Sequence, residues 1–326
     1  MAVLLSASLL LAGCSKDDAE PSSAPTQEVE ESETIPATWP LTGLEATGKE
    51  NPSRKHPVLV TKIDNTSSSA PQVGLGKADL VVEELVEGGL TRLAAFFYSD
   101  LPDKVGPVRS MRASDIGIVS PVDGAVVTSG AAGGTIARIR DAGIPFFQEG
   151  AEGLYRASDR RAPYNVFANL GDVASAIKQK SLRPDDYLPW GEAADLPKGQ
   201  KARTIAARFS GGHTTNWSYR KGGYVNENSH AAAGDEFPAD TVLVLRVRVV
   251  DAGYRDPAGN FVPETVLTGR GQAMLFHGGR LVRGTWKKAG LDAALTLSTK
   301  AGELVVPAGH VWIELVPAED GDVTYR

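Results

Sequence analysis

Three arginines surround one apolar segment of the chain. Arg92 opens TRLAAFFY, and Arg109 and Arg112 follow in VGPVRSMR. A guanidinium is a permanently charged planar fork that meets phosphate or carboxylate through two parallel N–H bonds. A second group, Arg156, Arg160 and Arg161, lies in YRASDRRAPYN, which ends at Asn165. Two chemistries suit these residues. In one, Arg92, Arg109 and Arg112, with Arg161 and Asn165, line a cleft for an anionic ligand. In the other they pair with the chain's own carboxylates, Asp79, Glu83, Glu84 and Glu87 being close enough in sequence to meet Arg92 across a hairpin. Asp64-Asn65 at a strand end is either a polar or metal ligand pair or an Asx turn.

Other reactive patterns are absent. His56, His213, His230, His277 and His310 are scattered without the HExxH spacing of a zinc site. SGGH at 210–213 is not the GxSxG of a nucleophile elbow. The run Ser129–Gly134, SGAAGG, follows a predicted strand and precedes a predicted helix. Free backbone N–H groups there either hold an anion or only make a tight turn. No cofactor and no metal is expected and no catalytic residue is assigned; a metal-dependent phosphotransferase or hydrolase acting on cell-wall precursors, with Asp64, Glu83 or Glu87 as ligands, stays open as an alternative.

The elements that must carry these residues can be read from periodicity. Pro57–Asp64 is a buried strand, and Asp79–Val86 and Leu90–Tyr98 form a hairpin turned by Gly88-Gly89. Alternation places Arg92, Ala94, Phe96 and Tyr98 on one face. Ser114–Val119 is a short helix, Gly124–Thr128 a strand, and Gly133–Ala142 and Asn169–Gln179 helices. After a Pro-rich stretch at 184–202 the chain reads almost wholly as strands: Thr204–Phe209, Trp217–Val225 around Gly222-Gly223, Thr241–Val250, Gln272–Trp286 around Gly278-Gly279, and Gly302–Val316. The expected fold class is α+β, with a mixed α/β N-terminal domain at 51–185 and a β-rich antiparallel C-terminal domain at 203–320. Trp217, Tyr219, Trp286 and Trp312 are the aromatics available for docking a partner protein, although the last two sit in apolar strands that suit a core.

The first fourteen residues, MAVLLSASLLLAGC, are an apolar run too short to span a bilayer and end at Leu11-Ala12-Gly13-Cys14. This is the pattern of a lipoprotein signal, with Cys14 the lipidated residue. As the chain's one cysteine, it leaves the mature protein without disulfides or thiol chemistry. Residues 15–50 read as an acidic tether, beginning with a stretch of seven carboxylates and one lysine at 15–36 that carries the whole formal charge of −6. The remainder is electrically balanced, so no general attraction to nucleic acid is expected. The expected address is extracytoplasmic, anchored to the cell membrane through Cys14.

PVLVTKIDN, the EGGLTR turn, VGPVRSMRASD, RRAPYNVF, GRGQAMLFHGGRLVRGTWKK and GELVVPAGHVWIELVP together resemble the YerB-like lipoprotein family, whose two halves are domains of unknown function (the 3048 families). The resemblance covers about residues 50 to 317 and implies an extracytoplasmic lipoprotein with an α/β first half and a β-rich second half, without an activity. Tyr164 departs from the family pattern, which has a histidine after the RAP triplet. A looser likeness of layout, extracytoplasmic arginines with a strand, glycines and a helix, is to the LytR-CpsA-Psr phosphotransferases; it points toward a pyrophosphate-lipid or glycan ligand.

Overall fold

The computed structural model describes residues 38–47, 49–256 and 259–326; the signal, Cys14 and most of the tether lie outside them. Residues 36–326 form one compact unit. The first half contributes β1 (Leu59–Asp64), β2 (Leu80–Leu85), β3 (Thr91–Phe97), α1 (Asp115–Val119), β4 (Ala125–Val127), α2 (Gly133–Asp141), β5 (Phe146–Phe147), β6 (Leu154–Arg156), β7 (Val166–Ala168) and α3 (Leu170–Ser175). After the short β8 (Trp190–Gly191) and β9 (Gln200–Lys201) come β10 (Thr204–Arg208), β11 (Thr214–Arg220), β12 (Gly223–Asn226), β13 (Thr241–Arg255), β14 (Phe261–Val266), β15 (Gly269–His277) and β16 (Arg280–Lys288). The chain ends with β17 (Thr296–Thr299), β18 (Gly302–Glu303), β19 (Val306–Pro307), β20 (Val311–Pro317) and β21 (Asp322–Tyr325).

Thirteen strands make one mixed sheet, in the order β18-β17-β16-β15-β13-β20-β2-β3-β1-β4-β5, with β14 on β13 and β9 on β16. The composition break at 184–202 therefore does not separate the halves into distinct bodies in space. The second half is also not purely antiparallel: β20 lies parallel to both β13 and β2 and joins the halves. Its sequence VWIELVP is buried at every position, the near-continuous apolar run of a strand covered on both faces. A four-stranded sheet, β12-β11-β10-β21, packs on one face.

Alternation sorts the core into two layers. Val58, Val60, Val82, Ala94, Phe96 and Tyr98 belong to one cluster, and Leu59, Ile63, Val81, Leu93, Ala95 and Phe97 to the other. Polar side chains near the strand ends obey the same parity. The even-numbered Lys62, Glu84 and Arg92 face the first layer, and the odd-numbered Glu83 and Thr91 the second. In α2 the buried face is Thr135 and Ile139, while Ile136 is half-buried and Arg140 exposed. α3 stops at Ser175, so Ile177 packs from the segment beyond it.

Gly271 shows how tightly β13, β15 and β16 interlock. A Cβ there would collide with the Arg246 carbonyl and with Trp286 Nε1, and that indole donates to that carbonyl at 3.0 Å. Gly271→Ala is expected to destabilise the protein by about 1–3 kcal/mol, as overpacking does; urea unfolding with an unchanged midpoint would contradict this contact.

Candidate functional site: charged networks at the strand ends

β1 and β2 are both antiparallel to β3, and β4 is parallel to β1, so the carboxyl ends of β1, β2 and β4 share one edge of the sheet. Ligands of open sheets collect at such edges. β3 starts there, and its register sets Arg92 between Glu84 of β2 and Asp64 of β1. β4 follows β1 only as far as Thr61. Beyond it the segment carrying Arg109 takes over, with Arg109 N donating to Lys62 O at 2.8 Å and Asp64 N to Pro107 O at 3.0 Å. The GPVRS sequence thus brings Arg109 and Arg112 to the edge where Arg92 emerges.

The three guanidiniums have different surroundings. Arg112 is paired bidentately with Glu87, Nε to Oε1 at 2.8 Å and Nη2 to Oε2 at 2.5 Å, and its Nη1 donates to the carbonyls of Ser110 and Met111. Its pKa is raised: burial opposes this, but the bond and charge of Glu87 prevail. Arg109, partly exposed, has Nε 3.1 Å from Asp64 Oδ2, donates from Nη1 to Pro163 O, and lies 5.1 Å over the Tyr164 ring. Arg92 is 6% exposed and donates from Nη1 to Ser110 O at 3.0 Å. Among the described residues it has no ion-pair partner, and its buried Nε has no hydrogen-bond partner. Burial, with the like charges of Arg112 and Arg109, lowers its pKa to about 10 against the attraction of Asp64 and Glu87. The cross-strand ion pair anticipated for Arg92 does not form, because Glu84 turns to Lys62.

Lys62 is fully buried and donates to Glu84 Oε1 at 2.7 Å and Asp115 Oδ1 at 2.6 Å. Asp115 Oδ2 also accepts Arg112 N at 2.7 Å, tying α1 to the arginine segment. Burial raises the Glu84 pKa even though Lys62 opposes it. The three arginines outnumber the two carboxylates nearest them, Asp64 and Glu87.

Beside this group is the glycine run. Thr128 Oγ1 accepts from Met111 N and lies 2.8 Å from the carbonyl of Gly130, to which its proton can go, and 3.0 Å from that of Arg109, fixing the loop against the arginine segment. Gly130 has φ +129°, and a Cβ at Gly130, Gly133 or Gly134 would meet nothing within 4 Å. Packing therefore does not demand glycine at these three positions. α2 begins at Gly133 after Ala132, whose side chain makes no cap, so its first N–H groups have no side-chain acceptor there.

Several expected members lie elsewhere. Asn65 donates to Glu83 Oε1 at 3.0 Å and Thr91 Oγ1 at 2.9 Å on the other side of the sheet. Asn165 accepts from Arg156, which also pairs with Glu149. Arg160 clamps the carbonyls of Ser69, Ala70 and Pro71. Arg161 is exposed. The carboxylates considered as metal ligands sit in three different networks: Asp64 with Arg109, Glu87 with Arg112, and Glu83 across the sheet. Among the described residues no cluster of three or more His, Cys, Asp or Glu side chains is placed to hold a metal.

Across the sheet the buried Glu83 accepts from Thr215 Oγ1 at 3.0 Å and from Trp312 Nε1 at 3.2 Å, and lies 2.8 Å from His213 Nε2. Glu314 stands beside it in register and accepts from Trp217 Nε1 at 2.7 Å. Burial would raise both carboxyls. The bond and charge of His213 bring Glu83 below the usual range, whereas the Glu83 charge adds to burial at Glu314 and drives it well up. Burial works against protonation of His213, but Glu83 raises it overall. The shifts therefore favour the charged form at Glu83 and His213 and the neutral form at Glu314. Trp217 and Trp312, 1% and 2% exposed, serve this buried centre and not a docking surface. Sequence inspection missed the pairing because its members are far apart in the chain; the one signal was a Glu in each of two apolar strands.

This architecture is that of a family described in two halves. Residues 41–183 match "Protein of unknown function (DUF3048) N-terminal domain" and residues 205–313 match its C-terminal counterpart; the chain belongs to this family. A Bacillus subtilis (strain 168) protein named "Putative lipoprotein YerB" is 25% identical over 323 residues, covering 95% of this chain and 92% of that one. The crystal structure of YerB from Bacillus subtilis has the same fold, with a TM-score of 0.71 at 21% identity, covering 88% of this chain and 99% of that one. No helix among the described residues is long and apolar enough to cross a membrane.

Proposed function

We propose that this chain is an extracytoplasmic protein, anchored to the membrane through lipidated Cys14, that binds an anionic envelope ligand at the shared ends of β1, β2 and β4. The observation that carries this reading is Arg92: a buried guanidinium with an unpartnered Nε, flanked by two further arginines. A buried charge left without a full set of partners is costly, and such costs concentrate where a ligand completes the set. Arg109, the more exposed of its neighbours, stands at the entrance; Arg112, held by Glu87, orients the segment; the open glycine loop offers backbone N–H groups to the same anion. Tyr164, where the family resemblance has histidine, lies against Arg109 at this entrance.

The test uses pyrophosphate and a carboxylate-bearing muropeptide as probes in calorimetric titrations. Wild-type protein is expected to bind one of them, and Arg109→Gln to weaken that binding about tenfold or more, since a charge-assisted hydrogen bond contributes roughly 1.5–3 kcal/mol. No binding of either probe by wild type, or equal binding by the variant, would overturn the assignment.

A further inference from the structure

The second half carries another group of arginines, in a different region of the sheet. β13 continues to Arg255, well past the end of its pairing with β20 at Val247. There the layer that includes Val244 and Met274 gives way to charge. Arg246 and Arg248 on β13, Arg270 and Gln272 on β15, and Arg283 on β16 line a groove of about 510 Å³ closed on one side by Asp322 and Val323 of β21. A cleft of this size is in the range that ligands fill.

The arginines are held in place, but not by carboxylates. Arg246 Nη2 donates to the carbonyls of Ala318 and Gly321 at 2.9 Å each. The turn supplying them is tight: a Cβ on Gly321 would lie 2.5 Å from Pro317 O. Arg283 Nη2 donates to Tyr325 OH at 2.7 Å, with its Cζ 5.4 Å over that ring. Arg248 and Arg270 are exposed. None of the four has a carboxylate within ion-pair distance among the described residues. Asp322 is the one acid in the lining. Burial lowers the pKa of Arg246, Asp322 opposing this and Arg208 adding to it, so the positive charge is already crowded.

We infer that this groove is a second binding site, for a linear phosphate-bearing chain. Successive same-face positions on a strand are roughly 7 Å apart and neighbouring strands about 5 Å apart. Four forks on that lattice meet a polymer with recurring oxyanions better than a single small anion. The concave form, with β21 as a wall, selects a soluble strand that can lie along the groove over a flat bilayer of head groups. This site is separate from the one at the ends of β1, β2 and β4.

The experiment titrates the full chain with inorganic tripolyphosphate and, in a parallel arm, with phosphatidylcholine vesicles containing phosphatidylglycerol. Tripolyphosphate is expected to bind at low salt with an affinity that falls steeply as salt rises. In an Arg109→Gln background, which removes the contribution of the site at the ends of β1, β2 and β4, Arg248→Gln with Arg270→Gln, both exposed and so compatible with folding, is expected to weaken the remaining tripolyphosphate binding at least tenfold. Remaining binding that this added pair leaves unchanged, complete loss with Arg109→Gln alone, attachment to vesicles alone, or no binding at all would each overturn the inference.

Discussion

Replacing Lys62 by methionine is expected to lower stability by about 3–5 kcal/mol, the usual cost of removing one partner from a buried ion group. The ammonium is fully buried and touches two carboxyls, Glu84 and Asp115, that are themselves fully buried. Methionine fills a similar volume, so the penalty comes from stranded negative charge and not from a cavity. Glu84 Oε2 already lacks a hydrogen-bond partner, leaving few ways to relax. Against a total of roughly 5–15 kcal/mol for a folded domain, this change would bring the protein close to unfolding. A double variant, Lys62→Met with Glu84→Gln, removes one of the stranded charges and is expected to recover some of the loss. Urea denaturation of both checks the coupling; a single-variant cost below about 1 kcal/mol would mean that the network is far better solvated than its burial indicates.

Glu314→Gln is expected to change how stability depends on pH. In the folded protein burial and the neighbouring Glu83 raise the Glu314 pKa, while in the unfolded chain it is ordinary. Above the ordinary value the unfolded chain releases a proton that the folded protein keeps, so this contribution is complete at lower pH and is lost as pH rises toward the raised value. The slope is about 1.4 kcal/mol per pH unit for one proton. Glutamine imitates the neutral acid without titrating, and its amide can still donate to Glu83. The variant should therefore gain on wild type through the mildly acidic range and above. His213, also raised, loses its contribution in the same sense as pH rises, and Glu83, lowered, loses its own on acidification. Both remain in the variant, so the difference between the two curves reports Glu314 together with its coupling to Glu83. Parallel curves from acidic to neutral pH would mean that Glu314 is ionised in the folded protein.

The strands were legible because alternation and glycine turns are local signals. The hairpin around Gly88-Gly89 and the face shared by Arg92, Ala94, Phe96 and Tyr98 need only neighbouring residues, and both stand as read. What local pattern could not supply was which strands become neighbours. VWIELVP reads as an apolar strand in any context; that it is inserted between β13 and β2, in parallel with both, depends on surfaces made by residues far from it. The same limit governs the site. The arginines could be picked out by type, but whether each fork was free depended on partners set by sheet register: Glu87 for Arg112, Asp64 for Arg109, and for Arg92 only a carbonyl. Glu83 and Glu314, well over two hundred positions apart, become neighbours only once β2 and β20 are aligned.

That insertion also decides when the molecule can become itself. β20 supplies an inner strand of the large sheet, yet it follows every other strand of that sheet in the sequence. Until it arrives, β2 and β13 each hold an unpaired edge, and the halves to either side have only water, or another nascent copy, against those edges. A chain cut short just before Val311 would retain every other strand of the large sheet but lose the one that joins β2 and β13 into a single sheet.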